Sequence, residues 1–484
     1  MHQQSDSERS NELEHVFYPR SVAVLGASTE EQKVGSRWMM AFLSDRFQGE
    51  VYGVNPGGGE VFGRKLYPNL TSIPGPVDLV VACIPRAQVL EALDDCAAKG
   101  IKAIQFFTAG FKETGDQGWA EVEQEMVRRA RRGRFRIIGP NCFGVYCPEH
   151  GVPYGPWIPS GKVGRIGYIS QSGGHAGKML EIGLTRGISF SKVVSMGNGS
   201  DLGSADYLDY LAADAKTEII GMYLEGPPDS RRLFESLRAV SPNKPVVVWK
   251  GGNTEAGAKA IASHTGALAA SGSVWSAALG QAGAIEVRGL DELADTLLLL
   301  QNVGRLDKSN LGIVCGLIDG GGGEAVLTGD ACAWLGLNVP NFTEKTSRAL
   351  LDLLGQVGSV LCNPVDISQR WGDPRVLEQT MELITADPNI DLLLVYQNAD
   401  ILARFLPPDI VDDLNSVIIS FALRREKPVV VVLPPGSVET RRLEIESRLA
   451  QEGICVYHSV DRAARAIYNV RRYCAMQRAR SVVG

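Results

Sequence analysis

Short apolar runs, several of them closed by glycine and followed by a helical stretch, set the rhythm of the chain. The first is Ser21-Val22-Ala23-Val24-Leu25-Gly26, and the unit recurs at Val51 to Val54, Leu79 to Ile84, Lys102 to Phe107 and Arg136 to Gly139. Continuously apolar, β-rich runs of this length are the pattern of strands covered on both faces. Helical segments from Val89 to Lys99 and from Trp119 to Arg132 lie between them, and such alternation predicts a doubly wound parallel sheet. A Pro/Gly-rich passage from Cys147 to Gly167 interrupts the rhythm, and a second series opens at Gly167-Tyr168-Ile169-Ser170. A third opens at Leu311-Gly312-Ile313-Val314-Cys315, after helical Leu290 to Leu300 and the polar stretch Asn302 to Asn310. The expected organisation is a solvated tail over 1–14 and α/β domains over 15–148, 149–305 and 306–484.

The second and third series begin alike, with an apolar strand, a Gly-rich turn (Ser172-Gly173-Gly174; Gly320-Gly321-Gly322-Gly323), a helix, and then Gly187-Ile188 or Gly336-Leu337. This pattern predicts a duplicated flavodoxin-like unit behind a first, Rossmann-like domain.

Composition narrows the function classes. With 484 residues, 44% hydrophobic and 21% charged, the chain has a globular balance, which excludes disordered, collagenous and coiled-coil readings. Its 49 Lys and Arg against 55 Asp and Glu give a net charge of −6, which argues against a nucleic-acid binder. The Arg run Arg128, Arg129, Arg131, Arg132, Arg134, Arg136 and the basic end at Arg471, Arg472, Arg478 and Arg480 therefore read as solvated helix faces. Nine scattered Cys without a C-x-x-C pair fit reduced thiols in a cytoplasm. The polar N-terminal stretch lacks an apolar signal core, and runs such as Leu297 to Leu300 and Val429 to Leu433 are too short to span a bilayer. Neither export nor membrane insertion is expected.

Candidate chemistry lies at the glycine turns. Gly26-Ala27-Ser28 ends the first strand and Gly35 precedes a helix, so backbone amides there suit a pyrophosphate. The turn is not a complete G-x-G-x-x-G, and tight strand-to-helix turns use glycine anyway. The second strand runs into Asn55-Pro56-Gly57 without the carboxylate a nicotinamide dinucleotide wants, which disfavours NAD and leaves a 3′-phosphorylated ADP, as in coenzyme A, compatible. Ser170-Gln171-Ser172-Gly173-Gly174 puts hydroxyls and amides at a helix start, an anion site or merely a capping turn. Among six His, His264 stands in a segment of small residues from Gly251 to Ala270, where an imidazole can attack, carry and deliver a phosphoryl group; an ordinary loop His is the alternative. Glu225 ends an apolar strand, where it can hold one imidazole nitrogen or simply be solvated. Gly252 and Gly257 have P-loop spacing, but Ala258-Lys259-Ala260 follows them, so no ATP loop is expected; no metal site is expected either.

Together with Val54-Asn55-Pro56, Gly139-Pro140-Asn141-Cys142-Phe143-Gly144, Gly197-Asn198-Gly199-Ser200-Asp201, Tyr223-Leu224-Glu225-Gly226, Ser263-His264-Thr265-Gly266 and Asn363-Pro364-Val365-Asp366, these motifs stand in a recognisable order. In that order the chain resembles the nucleoside-diphosphate-forming acyl-CoA synthetases over about residues 15 to 475, and within them the α subunit of ADP-forming acetyl-CoA synthetase. Its first two domains are similar to the succinyl-CoA synthetase α subunit. The resemblance implies reversible conversion of acid, CoA and ATP into acyl-CoA, ADP and phosphate through an acyl phosphate and a phosphohistidine. It assigns the phosphohistidine to His264, the supporting carboxylate to Glu225, and phosphate binding to Ser170, Gln171, Ser172, Gly173 and Gly174. It implies CoA contacts at Gly26, Ala27, Ser28, Lys33, Asn55, Pro56, Ile84, Pro85, Asn141 and Cys142, and substrate contacts at Asn198, His175, Tyr154 and Trp157. Gly57 replaces the family's usual Lys, and His175 an apolar residue. Tyr154 and Trp157 offer walls for something larger than acetate, or serve as loop anchors. ATP/ADP and Mg²⁺ are expected on a separate ATP-grasp β subunit, in an α2β2 particle. The alternative is a CoA-ester-binding or acyl-transfer subunit that performs no ligation, for example the acyl-CoA-binding half of a carbamoyltransferase-like assembly.

Overall fold

The computed structural model describes residues 13–44, 46–265, 272–316, 321–355, 362–370 and 372–483, with the side chains at 262–265, 321, 369 and 481–483 outside that description. The chain divides into one unit over residues 1–184 and 189–293 and a second over 185–188 and 294–484.

The first unit holds two sheets. One consists of β1 (Ser21–Leu25), β2 (Glu50–Val54), β3 (Glu60–Val61), β4 (Arg64–Tyr67), β5 (Leu79–Ala82), β6 (Ala103–Phe106) and β7 (Arg136–Ile138) in the order β3-β4-β2-β1-β5-β6-β7. All its pairings are parallel except β3 with β4. Without the β3 edge this is the strand order of a Rossmann-like fold. Helices Val34–Ser44, Val89–Lys99 and Gln117–Gly133 cross over between strands. The β3–β4 hairpin was not expected from the pattern, because Arg64-Lys65 and Glu60 give it no apolar run.

The other sheet consists of β8 (Gly144–Tyr146), β9 (Val163–Ser170), β10 (Phe190–Ser195), β11 (Ile219–Leu224), β12 (Val246–Lys250) and β13 (Ile285–Val287), ordered β13-β12-β11-β9-β10-β8. Its parallel strands take the flavodoxin-like order, and β8 adds an antiparallel edge on β10. The two sheets share one core, in which Trp38 and Phe42 of the first domain join Ile169, Val194 and Tyr207 of the second.

In the second unit, β14 (Leu311–Cys315), β15 (Val365–Asp366), β16 (Leu392–Tyr396), β17 (Val429–Val432) and β18 (Cys455–Tyr457) run in the order β15-β14-β16-β17-β18, all parallel. This repeats the order of β9 to β13, so the duplication in the sequence is a duplication of topology. Gly187 and Gly336, which follow the helices Gly173–Arg186 and Gly321–Trp334, both take the left-handed conformation, at φ 76° and 66°.

The Arg run divides. Arg128, Arg129 and Arg132 all reach Glu125, as expected of a helix face. Arg136 departs from that expectation: it begins β7 and binds Asp201 at 2.9 Å, a carboxylate that also accepts the Ile137 N–H at 3.0 Å.

Glycine is demanded where backbones touch. A Cβ at Gly35 would lie 2.1 Å from the Gly26 carbonyl oxygen, whereas one at Gly280, inside the helix Gly272–Ala282, would meet nothing within 4 Å. Gly35→Ala should therefore cost about 1–3 kcal/mol by overpacking, and Gly280→Ala should gain up to about 1 kcal/mol from helix propensity. Urea-unfolding midpoints check this; equal midpoints would contradict it.

Candidate active site

The chain leaves β9 toward β10 on one side and returns to β11 on the other, so a crevice forms beyond the carboxyl ends of β9 and β11. Gln171 spans it. Its backbone N–H donates to the Tyr223 carbonyl at 3.0 Å, and its side-chain oxygen accepts the N–H groups of Glu225 and Gly226 at 2.7 and 3.1 Å. Its side-chain nitrogen donates to the Gly226 carbonyl at 3.3 Å. Ser170, fully buried, uses its hydroxyl within the turn, accepting from Ser172 N–H at 3.2 Å and donating to its carbonyl at 2.6 Å. Ser172 Oγ accepts the His175 N–H at 3.3 Å, which caps the helix Gly173–Arg186. The first N–H groups of a helix have no partner within it, so the amides of Gly173 and Gly174 face the crevice at the positive end of the dipole. A Cβ at Gly174 would meet only Ser172 Oγ, at 3.9 Å, so an anion can approach the backbone closely.

Glu225 lies across from this helix start, only 6% exposed, and accepts the Tyr223 hydroxyl at 3.0 Å. The His175 ring packs on Tyr223 and Trp249 at 4.5 and 4.9 Å. Burial pulls the His175 pKa below its ordinary value, and the Glu225 charge opposes that shift. Lys250, opposite Leu224 in the ladder, is 1% exposed and donates to the Gly251 carbonyl; burial lowers its pKa, again against Glu225. Tyr223, Trp249 and Lys250 were missed in the sequence, although all three lie at or near strand ends, the same signal that singled out Glu225.

His264 belongs to the helix Glu255–Thr265, and its side chain lies outside the described residues. That helix packs against the short turn Lys112–Thr114. There Lys112 pairs with Glu123 at 3.1 Å and donates to the Asn198 carbonyl at 3.0 Å. Asn198 spends its side-chain nitrogen on Glu113 at 2.7 Å and Glu123 at 3.0 Å, and so ties its loop to the turn Lys112–Thr114 and the helix Gln117–Gly133 rather than offering this donor to a substrate. Burial raises the Glu113 pKa, but the hydrogen bonds from Asn198 and from the N–H groups of Gly110 and Phe111 outweigh it and hold the carboxyl below its ordinary value.

At the end of β1, Gly26 takes φ 93°, and a Cβ there would strike the Cys83 carbonyl oxygen at 2.3 Å. Polar side chains around this turn bond inward. Asn55 donates to the Ala27 carbonyl at 2.6 Å and accepts the Gly57 N–H at 2.9 Å. Ser36 accepts the Ser28 N–H at 3.0 Å. Pro56 and Pro85 are exposed, Ile84 is half-buried, and Lys33 reaches into solvent beside Glu30 at 3.8 Å. Asn141 takes φ 59° after the cis bond Gly139–Pro140. Cys142 is 3% exposed with its thiol toward the Phe106 and Ile138 carbonyls, and burial pushes its pKa up to about 12, so any contact to a ligand falls to its backbone. Tyr154 is 1% exposed and donates to the Gly173 carbonyl at 2.8 Å, supporting the helix start from below, whereas Trp157 is 47% exposed. Among the described residues no group of His, Cys, Asp or Glu suits a metal ion, and no helix is long and apolar enough to cross a membrane.

Three family models match along the chain: a CoA binding domain over residues 20–148, a succinyl-CoA ligase like flavodoxin domain over 163–300, and a ligase-CoA domain over 315–481. The chain is 36% identical to acetate–CoA ligase [ADP-forming] I of Archaeoglobus fulgidus over 95% of its own length, and spans 64% of that longer relative. It is 34% identical to the α subunit of acetate–CoA ligase [ADP-forming] II of Pyrococcus furiosus, covering 98% of this chain and 99% of that one. Its fold is similar to dinucleotide forming acetyl-coenzyme A synthetase 1 of Ca. Korarchaeum cryptofilum, solved with phosphate and ADP, with a TM-score of 0.84, 29% identity and 97% and 98% of the two chains covered. With identity at this level over nearly the full length of an α subunit, the chain belongs to the family of ADP-forming acetate–CoA ligases.

Proposed function

We propose that this chain is the CoA- and phosphate-handling α subunit of an ADP-forming acid–CoA ligase. Residues 15–148 bind CoA, 149–305 carry the phosphohistidine, and 306–484 form the second flavodoxin-like domain. The observation that carries the reading is the joining of an open helix N-terminus to buried Glu225 through Gln171. In the direction of ATP synthesis, phosphate at the amides of Gly173 and Gly174 attacks the acyl-CoA carbonyl. A carbon–oxygen bond forms, the carbon–sulfur bond breaks, and CoA leaves as the thiol. One imidazole nitrogen of His264 then attacks phosphorus, and the phosphorus–oxygen bond to the acyl group breaks, releasing the carboxylate. Glu225 accepts the N–H of the other nitrogen, which keeps the attacking one unprotonated and steadies the charged ring. The phosphoryl group finally leaves nitrogen for ADP, held with Mg²⁺ on an ATP-grasp β subunit in an α2β2 particle; the α subunit naming of the Pyrococcus relative supports a partner.

The first domain fits CoA in its backbone: Gly26, Ala27 and Ser28 form a close-packed turn before a helix, with Asn55, Pro56, Ile84, Pro85 and Asn141 around it and Lys33 within the same turn. The free thiols of the described Cys, all but Cys362 at least partly buried, support a reducing cytoplasm.

With acyl-CoA, ³²P-phosphate and β subunit, the chain should gain acid-labile label that His264→Ala abolishes; label persisting at another His, such as His175, would sink the assignment. Glu225→Gln keeps the Tyr223 hydrogen bond and loses the charge, and should slow labelling by about 10²-fold or more. Equilibrium titration should show binding of CoA and not of NAD, and the reverse would overturn the role of the first domain. The purified chain should form no acyl-CoA from ATP, acid and CoA until the β subunit is added; ligation by the lone chain would reveal a nucleotide site of its own.

A further inference from the structure

Lys250 closes β12 with only 1% of its surface exposed, and the phosphoryl relay leaves it without a task. An ammonium taken out of water is costly, and an apolar residue would fill such a strand end without that cost. Its neighbours are specific. It donates to the carbonyl of Gly251, where the segment carrying His264 begins. It lies 5.6 Å from the ring centre of Trp275, on the helix Gly272–Ala282, where that segment ends. Burial lowers its pKa, and the charge of Glu225 opposes the shift. One side chain thus reaches both roots of the segment and acts on the carboxylate that the relay depends on.

The two roots also touch each other and the site. A Cβ at Gly272 would lie 3.2 Å from the Cβ and the carbonyl oxygen of Asn253. A Cβ at Gly251 would lie 2.9 Å from the Tyr223 hydroxyl, the group that donates to Glu225 at 3.0 Å. Between the roots little holds the segment: among the described side chains of the helix Glu255–Thr265 only Ile261 is buried. Where this helix stands relative to Glu225 is therefore set from its ends. We propose that Lys250 is a positioning residue of the relay, which fixes both roots of the His264 segment and sets its own charge against Glu225. This inference rests on the relay reading given above. Lys250 bonds to backbone and packs on a ring rather than meeting a reacting atom, so the bonds made and broken are those already described.

The test uses the full chain with the β subunit, acetyl-CoA and ³²P-phosphate, and Lys250→Met, which keeps the length of the side chain without its charge or donors. The single-turnover rate of His264 labelling should fall about tenfold or more, with CoA affinity and the KM for phosphate unchanged. In a Glu225→Gln background the same substitution should slow labelling by about twofold or less, because the charge it acts on is already gone. Trypsin needs a locally open chain, and should cut after exposed Lys259 several times faster in Lys250→Met and in Trp275→Leu than in the native protein. An unchanged labelling rate in Lys250→Met, an equal loss with and without Glu225, or unchanged cutting in both variants would overturn the proposal and leave the ligase reading standing. Should Lys250→Met lose CoA binding, and with it the native fold, Trp275→Leu decides alone: labelling and cutting as in the native chain refute the proposal. A native chain that gains no label at His264 ends the relay reading and this proposal together.

Discussion

A single side-chain amide closes the crevice on which the proposed chemistry depends. Gln171 leaves β9 and binds the chain beyond β11 through three hydrogen bonds to Glu225 and Gly226, while its own N–H holds Tyr223. The consequence is geometric. The helix start at Ser172 to Gly174 lies within three residues of this side chain, the Glu225 backbone is bonded to it, and the Tyr223 hydroxyl holds the Glu225 carboxylate in turn. A half-buried amide bonded through both its oxygen and its nitrogen is rigid at low cost, whereas a mobile Glu at a strand end would be solvated and of little use to an imidazole. The surrounding rings reinforce this by keeping Glu225 and Lys250 nearly dry, so the charge of Glu225 acts at short range on whatever enters.

The anion recognition proposed for this unit is a backbone affair. Around Gly26 the polar side chains of Ser36 and Asn55 are taken up in bonds that shape the turn, and around Gly173 those of Ser170 and Ser172 cap the helix. What is left facing outward is amide nitrogen at a helix end, in both places after a strand in a parallel sheet. Two such ends built into one shared core are the places proposed above for a nucleotide phosphate and for a transferable phosphate, without a lysine-rich patch, consistent with the chain's net charge of −6.

The sequence shows the architecture well because its signals are local. Apolar runs ended by glycine locate β1, β9 and β14, and the repeated Gly-rich turns foreshadow two sheets of equal strand order. The β3–β4 hairpin and the β8 edge strand escape, since Glu60-Val61 and Gly144-Val145-Tyr146 are too short to carry a period. Candidate site residues divide for the same reason. Motif position brings Ser170 to Gly174 and Glu225 to one crevice, but it is silent about where a side chain points. Asn198 turns to Glu113 and Glu123, Cys142 into the core, and Tyr154 beneath the helix start, all through contacts with residues distant in sequence. Trp249 and Lys250 acquire their meaning only from neighbours the fold supplies.

The proposed chemistry requires an anion at the amides that Gln171 and Glu225 frame. A crystal structure of the chain grown with inorganic phosphate measures this directly. A phosphate is expected within hydrogen-bond distance of the Gly173 and Gly174 nitrogens, present in the native chain and lost in Gln171→Leu. Phosphate seated elsewhere with this helix start empty, or bound unchanged in Gln171→Leu, would contradict it.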